Sequence, residues 1–536
     1  MAFASLLSST LALLVGSILL LYLIYRFLVY PAVLSPLSRI PNAHWLAPIS
    51  LFWILLVRFQ RRENRTLRRA HQRLGPFVRV GPNEISIDDV EAVKAVYQGG
   101  FDKTSWYSIF DNYGVPCMFS AQTSREHSLR KRMVSNVYSK SFIQSSEALR
   151  AQARIILYER LLAIVQESTA ESQKPHGIDV HSLFQAASMD FISAYIFGIR
   201  HSTDFLNKPG YREHWLQLYN ARATYPFFNQ ELPWLTKSLS RLGIRLYPSW
   251  VDTVNKELED WNRSMCVATL ADDVALAAAG AAGASSSPAD EAVVTRVLLA
   301  GLEREKEAGT DSILYSAATR YHDLSVASEL FDQVLAGHET VGITLTYLVW
   351  HLSKSRDLQQ SLHTELVTME PNVRKDVTSN PKMLDSLKLL DAVLMETLRL
   401  HAAIPGPQPR AAPYPSCQLG PYTIPGGTRV SALAHTMHRD EKAFPDPENW
   451  DHTRWLADKT DEEKRKAMNR QFWAFGSGGR MCLGSNFAIH EMKHIVAAIY
   501  SNFTTHIVDD AGMEQVDGYT VGPQSGRLFV RFEPIQ

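Results

Sequence analysis

A mostly helical fold with a small β-rich lobe, set behind an N-terminal transmembrane helix, follows from three observations. From about Asp88 to Arg410 apolar residues recur at helical spacing. Alternating strand patterns appear near either end of the chain, at Gly75–Ile87 and Gly526–Glu533. The first 25 residues carry no charged side chain, and about 20 apolar residues suffice for one helical span of a bilayer.

The apolar run Leu11–Leu28 is broken by Arg26 alone among charged residues. A cleaved signal peptide would need a positive segment ahead of it and a shorter apolar core. An uncleaved anchor therefore fits better. Arg26, Arg39, Arg58, Arg61, Arg62, Arg65, Arg68 and Arg69 follow the run, which by the positive-inside rule places the body of the protein in the cytosol. The sequons at Asn64, Asn262 and Asn502 are then expected to stay unglycosylated. Pro31, Pro36 and Pro41 stop helices after the anchor. A second apolar run, Trp45–Val57, contains Pro48 and is short for a span, so a place in the membrane interface is expected. Phe77–Val80 and Ile85–Ile87 flank a Gly81-Pro82-Asn83 turn and read as a hairpin. Ala148–Val165, Leu330–Ser353 and Leu384–Leu400 read as long helices. The Ala/Gly/Ser-rich stretch 275–289 reads as a surface linker. The expected organisation is an anchor over 1–30, a Pro-rich hinge and interfacial segment over 31–70, and one catalytic domain over 71–536.

The chain of 536 residues is 46% hydrophobic, with 55 basic and 55 acidic residues. Zero formal charge excludes the electrostatic footprint of a nucleic-acid binder. Cys117, Cys266, Cys417 and Cys482 form neither a C-x-x-C pair nor a zinc-like spacing, which suits a reducing compartment. Cys482 stands apart from the other three, because it lies in the glycine-rich run Phe475-Gly476-Ser477-Gly478-Gly479-Arg480-Met481-Cys482-Leu483-Gly484. A thiolate is a strongly donating ligand, and glycines let backbone approach a flat group and aim N–H groups at the sulfur. The plainer reading is a surface loop with a structural cysteine. Glu396 and Arg399 lie three apart after the apolar Ala392–Met395, so they share a helix face and can pair; most such pairs are solvated. In Ala336-Gly337-His338-Glu339-Thr340 a mid-helix threonine can bond back four residues, bend the helix and open a groove.

Phe475-x-x-Gly478-x-Arg480-x-Cys482-x-Gly484, Glu396-x-x-Arg399 and Ala336-Gly337-x-Glu339-Thr340 together resemble the motifs of the cytochrome P450 family, in the fungal membrane-anchored, microsomal form. The resemblance implies that family's fold and a heme b (iron protoporphyrin IX) ligated by the Cys482 thiolate. It implies that Arg480 answers a heme propionate and that Arg454 joins Glu396 and Arg399 in a structural network. Thr340 and Glu339 would serve proton delivery to bound dioxygen, with His338 turned away from the iron. His127 and Lys131 occupy positions where the family often has Trp and Arg against a propionate; Arg410 resembles another propionate-binding arginine. The implied substrate contacts fall near Trp106–Ala121, Phe331–Gly337, Ala402–Pro407 and Gly518–Val521, which read as an apolar, uncharged pocket around a lipophilic small molecule. Such an enzyme inserts one oxygen atom from dioxygen. Its electrons come from an NADPH–cytochrome P450 reductase, with cytochrome b5 as an optional donor, because no G-x-G-x-x-G fingerprint follows a strand here. A terpenoid, polyketide or alkaloid intermediate of fungal secondary metabolism and a single-pass place in the endoplasmic reticulum membrane are implied with it. A reductase-independent heme-thiolate isomerase or dehydratase, and a non-catalytic heme-binding protein, are the alternatives; the Glu339-Thr340 pair argues against both.

Overall fold

The computed structural model describes residues 2–170, 176–278, 287–368, 373–379 and 381–535. Helix α1, Ala2–Ile24, passes into a π-helical stretch, Tyr25–Leu34, around Pro31. Proline has no N–H and its ring crowds the preceding turn, so the hydrogen-bond ladder widens there: Ser35 N–H donates to the Tyr30 carbonyl at 2.8 Å, five residues back. Leu13–Leu34 is long and apolar enough to cross a membrane, and of its residues only Pro31 is buried in the protein.

Contacts divide the chain into two units, residues 1–104 with 406–437 and residues 105–405 with 438–536. The smaller holds a four-stranded sheet. Phe77–Gly81 and Glu84–Ile87 form the expected hairpin, Phe77 opposite Ile87. Arg429–Ser431 joins Glu84–Ile87 in parallel and Arg410–Ala411 antiparallel on its far side. Arg79, wholly buried, fixes the hinge: its guanidinium donates to the carbonyls of Pro31 and Pro82, both at 2.7 Å. The run Trp45–Val57 is not one continuous element, and Trp45 and Phe52 remain exposed. Only Phe52–Phe59 is helical, and Ile54 packs in a core with Leu67, Val78, Val80 and Leu433. Asn64 is buried here, as Asn262 is in the larger unit, so neither can carry a glycan.

The larger unit is helical around α2 (Ser124–Val134), α3 (Val180–Phe197), α4 (Pro209–Arg222), α5 (Trp250–Ala278), α6 (His322–Ser353), α7 (Lys388–Leu400) and α8 (Ser485–Tyr500). Apolar residues surround α3 on all sides, so it is buried along nearly its whole length. It lies against α6 at a distance that glycine sets. A Cβ at Gly337 would fall 2.7 Å from Ile192 Cγ1, and one at Gly342 would fall 3.1 Å from the Gln185 backbone. Three strands, Ile178–Asp179, Phe529–Pro534 and Phe503–Asp509, close this unit. Helix α5 runs four residues into the stretch expected to be linker, since alanine is the best helix former; residues 279–286 of that stretch lie outside the described residues.

Candidate functional site

Three elements of the larger unit build the site: the loop before α8, the middle of α6, and α2. The loop turns tightly at Gly476 (φ +69) and Gly478 (φ +71), a backbone region that favours glycine. Trp473 braces it by donating from Nε1 to Ser477 Oγ at 3.1 Å, and Cys482 N–H donates to the Phe475 carbonyl at 2.9 Å. The thiol therefore sits three residues ahead of Ser485, where α8 begins. A helix N-terminus favours negative charge on a nearby sulfur.

Cys482 retains accessible surface, yet protein surrounds it so closely that burial pushes its thiol pKa up. Accessible surface at a deep position means that the side chain lines an internal void. The Gly484 N–H and the Lys131 charge act in the opposite direction and favour the thiolate. Lys131, on α2, donates from Nζ to the carbonyls of Gly479 at 2.9 Å and Met481 at 3.3 Å, so it clasps the loop. Arg480 is tied to the segment ahead of α2, donating from its two terminal nitrogens to Ala121 O and Gln122 O, both at 2.7 Å. Phe475 packs at the margin of the main core, and His127 is buried on α2.

Helix α6 is buried from Ser325 through Phe331 and again from Val341 through Val349, but opens between them. Leu335, Glu339 and Thr340 are half-buried and Ala336 is exposed. These residues share one face. Thr340 Oγ1 does donate to the Ala336 carbonyl, at 2.9 Å, but α6 continues without interruption, so no break in the helix makes this groove. Gly337, half-buried, is turned toward Ile192 on α3, and Ala336 is the exposed residue of the open face. His338 points away from that face. It is fully buried, with its ring centroid 4.8 Å from that of Trp215 and 4.9 Å from that of Tyr219 on α4.

Glu339 accepts a hydrogen bond from the Tyr219 hydroxyl at 2.6 Å. Burial raises its pKa, and that hydrogen bond partly offsets the rise. Neither Tyr219 nor its neighbour Arg222 was marked by any motif; an aromatic pair at Trp215 and Tyr219, four apart on a helix, was the available signal. The Phe331–Gly337 stretch is also not uncharged as expected. Asp332 lies in it, and the Arg222 guanidinium stands 5.5 Å from the Phe331 ring centroid. Elsewhere Trp106 and Phe110 from one of the expected segments pack against Tyr519 from another, with Trp106 and Tyr519 5.0 Å apart between ring centroids, and Phe119 packs on Phe110.

Glu396 and Arg399 on α7 are both fully buried. Arg399 donates from Nε to Glu396 Oε2 at 2.9 Å and from Nη2 to Oε1 at 2.7 Å. Its remaining N–H groups reach the carbonyls of His438, Pro447 and Asn449. Arg454 approaches Glu396 Oε1 at 3.4 Å, Asp451 N–H donates to that oxygen, and Trp455 Nε1 donates to the other. A buried guanidinium requires this degree of satisfaction. Arg410 lies in the smaller unit, buried in a short strand with its guanidinium 4.9 Å from the Tyr97 ring centroid.

A family model for cytochrome P450 matches residues 44–525. The chain is 26% identical to the cytochrome P450 monooxygenase FGM1 of Gibberella zeae over 95% of its own length and 94% of the relative's. It is 26% identical to the cytochrome P450 monooxygenase tazI of Aspergillus terreus over 93% and 96%, and 24% identical to the monooxygenase orf2 of Aspergillus niger over 91% of each. The residues present fit a thiolate-ligated heme. A Cβ placed at Gly476, Gly479 or Gly484 would meet nothing within 4 Å, so open space borders the thiol-bearing loop. The loop carries a soft donor, with the Lys131 charge acting on it. The chain belongs to the cytochrome P450 family and is a monooxygenase that uses a thiolate-ligated heme.

Proposed function

We propose that the Cys482 sulfur would hold the heme as its thiolate ligand and that the opening on α6, lined by Ala336, Glu339 and Thr340, is where dioxygen and substrate would meet. The observation that carries this is the thiol's position: deep in the larger unit, at the start of a helix, yet facing a void. When bound, the heme supplies activation of dioxygen and insertion of one oxygen atom. The chain supplies the surroundings. Gly484 N–H and Lys131 hold negative charge on the sulfur. Lys131 and Arg480 fix the loop against α2, and Lys131 has a third Nζ donor able to meet a propionate, with Arg480 and His127 as further candidates. Glu339, kept protonated to higher pH by burial, holds a proton on the open face of α6, and Tyr219 fixes the carboxyl group's direction. Thr340 holds a hydroxyl on the same face, bonded to the Ala336 carbonyl until another acceptor arrives. Glu396, Arg399 and Arg454 keep the frame rigid.

The family implies a redox partner, dioxygen and a lipophilic substrate. An NADPH-dependent reductase as electron donor, a fungal secondary-metabolite intermediate as substrate, and an endoplasmic-reticulum site reached through Leu13–Leu34 complete the reading. The aromatic wall of Trp106, Phe110, Phe119 and Tyr519 supports an apolar substrate body. The test is the reduced carbon monoxide complex of full-length protein. The wild type gives the red-shifted Soret band of a thiolate ligand. Cys482→Ala, still folded by circular dichroism, lacks it. Retention of the band in that variant sinks the assignment.

A further inference from the structure

Residues 490–494, on α8, read His-Glu-Met-Lys-His. The spacing H-E-x-x-H on a helix puts two imidazoles on one face, where both can reach one metal ion. The rings of His490 and His494 stand 3.9 Å apart between centroids. His494 is only 1% exposed, and its Nδ1 lies 2.7 Å from the His490 carbonyl oxygen. A carbonyl can only accept, so Nδ1 carries the proton and Nε2 presents a lone pair. Metal-bound histidines are held in this way, by an acceptor on the other ring nitrogen. Among the described residues neither His494 Nε2 nor the His490 ring has a hydrogen-bond partner. Burial lowers the pKa of both rings, that of His494 to about 4, so both are in the neutral, ligating form near pH 7.

Both rings line a cleft with about 10 Å³ open to the centre of a water-sized sphere, room for one water or one ion. Gln144, Ser146 and Thr378 supply the rest of its polar wall. Gln144 donates from Nε2 to Asp385 Oδ2 at 2.6 Å, which leaves its amide oxygen as a third donor atom. Arg150 also borders the cleft, but it is exposed and long enough to keep its charge in water. No carboxylate among the described residues lines the cleft, so magnesium and calcium find no matching ligands, whereas imidazole suits zinc, copper and nickel. Glu491 takes no part. It is fully buried beside Ser188 on α3, so no base stands over the ion and the hydrolytic chemistry of the same spacing does not follow.

We propose that His490 and His494 bind one divalent ion of the zinc class, with the Gln144 amide oxygen as third ligand and water completing the shell. The site lies on α8, away from the open face of α6, and stands whether or not that face is the reaction site.

Full-length holoprotein in detergent, stripped of loose metal by a chelator, is titrated with zinc chloride in a calorimeter, and the zinc K-edge absorption of the one-to-one sample is recorded. The tightest event is one zinc per chain, and the edge shows two imidazole nitrogens at about 2.0–2.1 Å. His490→Gln and His494→Gln each weaken that event by at least about tenfold. The reduced carbon monoxide spectrum of each variant reports its folding. Because His490 is only half-buried, its variant carries the test where the His494 variant does not fold. The proposal fails if the wild type binds zinc no more tightly than the His490→Gln variant, if the edge shows oxygen ligands alone, or if magnesium chloride displaces the zinc.

Discussion

Glu396→Gln changes one oxygen to an amide and tests the buried network with little change of shape. Oε1 accepts from Arg399 Nη2 and Asp451 N–H and faces Arg454; Oε2 accepts from Arg399 Nε and Trp455 Nε1. Every group around the carboxylate is a donor, so the new NH₂ meets donors whichever way it turns. The cheaper orientation replaces Oε2, which loses two hydrogen bonds and leaves Arg399 buried with its charge uncompensated. Breaking one partner of a buried ion pair costs about 3–5 kcal/mol. The larger unit has about 400 residues, so its unfolding entropy is roughly 0.8 kcal/mol per kelvin and the loss corresponds to about 4–6 °C. Such chains unfold irreversibly, so the assay is the temperature of half-loss of the Soret band at one scan rate, wild type against variant. A drop below about 1 °C would refute the reasoning, because it would mean that the carboxylate charge is not what satisfies Arg399.

Gly337→Ala puts a methyl group 2.7 Å from Ile192 Cγ1 and is expected to cost about 1–3 kcal/mol by overpacking α3 against α6; in urea titration the cost should shrink when Ile192→Ala is added. His338 is pushed down to about 4 by burial between Trp215 and Tyr219. Its unfolded state takes a proton first, so stability is complete above pH about 6.5 and falls by about 3 kcal/mol as pH drops toward 4. His338→Phe should flatten that part of the urea midpoint against pH, and an unchanged slope would assign it to other groups. Thr340→Ala should keep the red-shifted carbon monoxide band and divert NADPH electrons to hydrogen peroxide; tight coupling of NADPH to product in this variant contradicts the proton-delivery role.

The parts of the site legible in the sequence are those whose chemistry is local. Gly476 and Gly478 adopt a left-handed backbone that marks their turn, and Glu396 and Arg399 are close enough along one helix to find each other before any tertiary contact forms. Strand alternation at Phe77–Ile87 was readable for the same reason. What was not legible depends on a second element. Gly337 reads as a helix weakener but is a contact with Ile192, 145 positions away in sequence. Ile54, inside the apolar run Trp45–Val57, does not announce its core role because its partners, Val78 and Leu433, are distant.

The same argument explains why Tyr219 and Arg222 escaped notice and why the pocket was expected to be uncharged. Their helix α4 is exposed along much of its length and carries no clear apolar stripe, so nothing in its own pattern assigns it to a site. Only the packing of Trp215 and Tyr219 around His338 brings it over α6. Once that contact exists, the hydroxyl of Tyr219 reaches Glu339, and helical spacing carries Arg222 to Phe331. Glu339 is therefore set by α4 as much as by its own helix. Tyr219→Phe would remove the hydrogen bond that favours the carboxylate and move its pKa further up. Packing of a histidine that faces away from the open side thus fixes, through one short run of α4, the hydroxyl that holds the Glu339 carboxyl group.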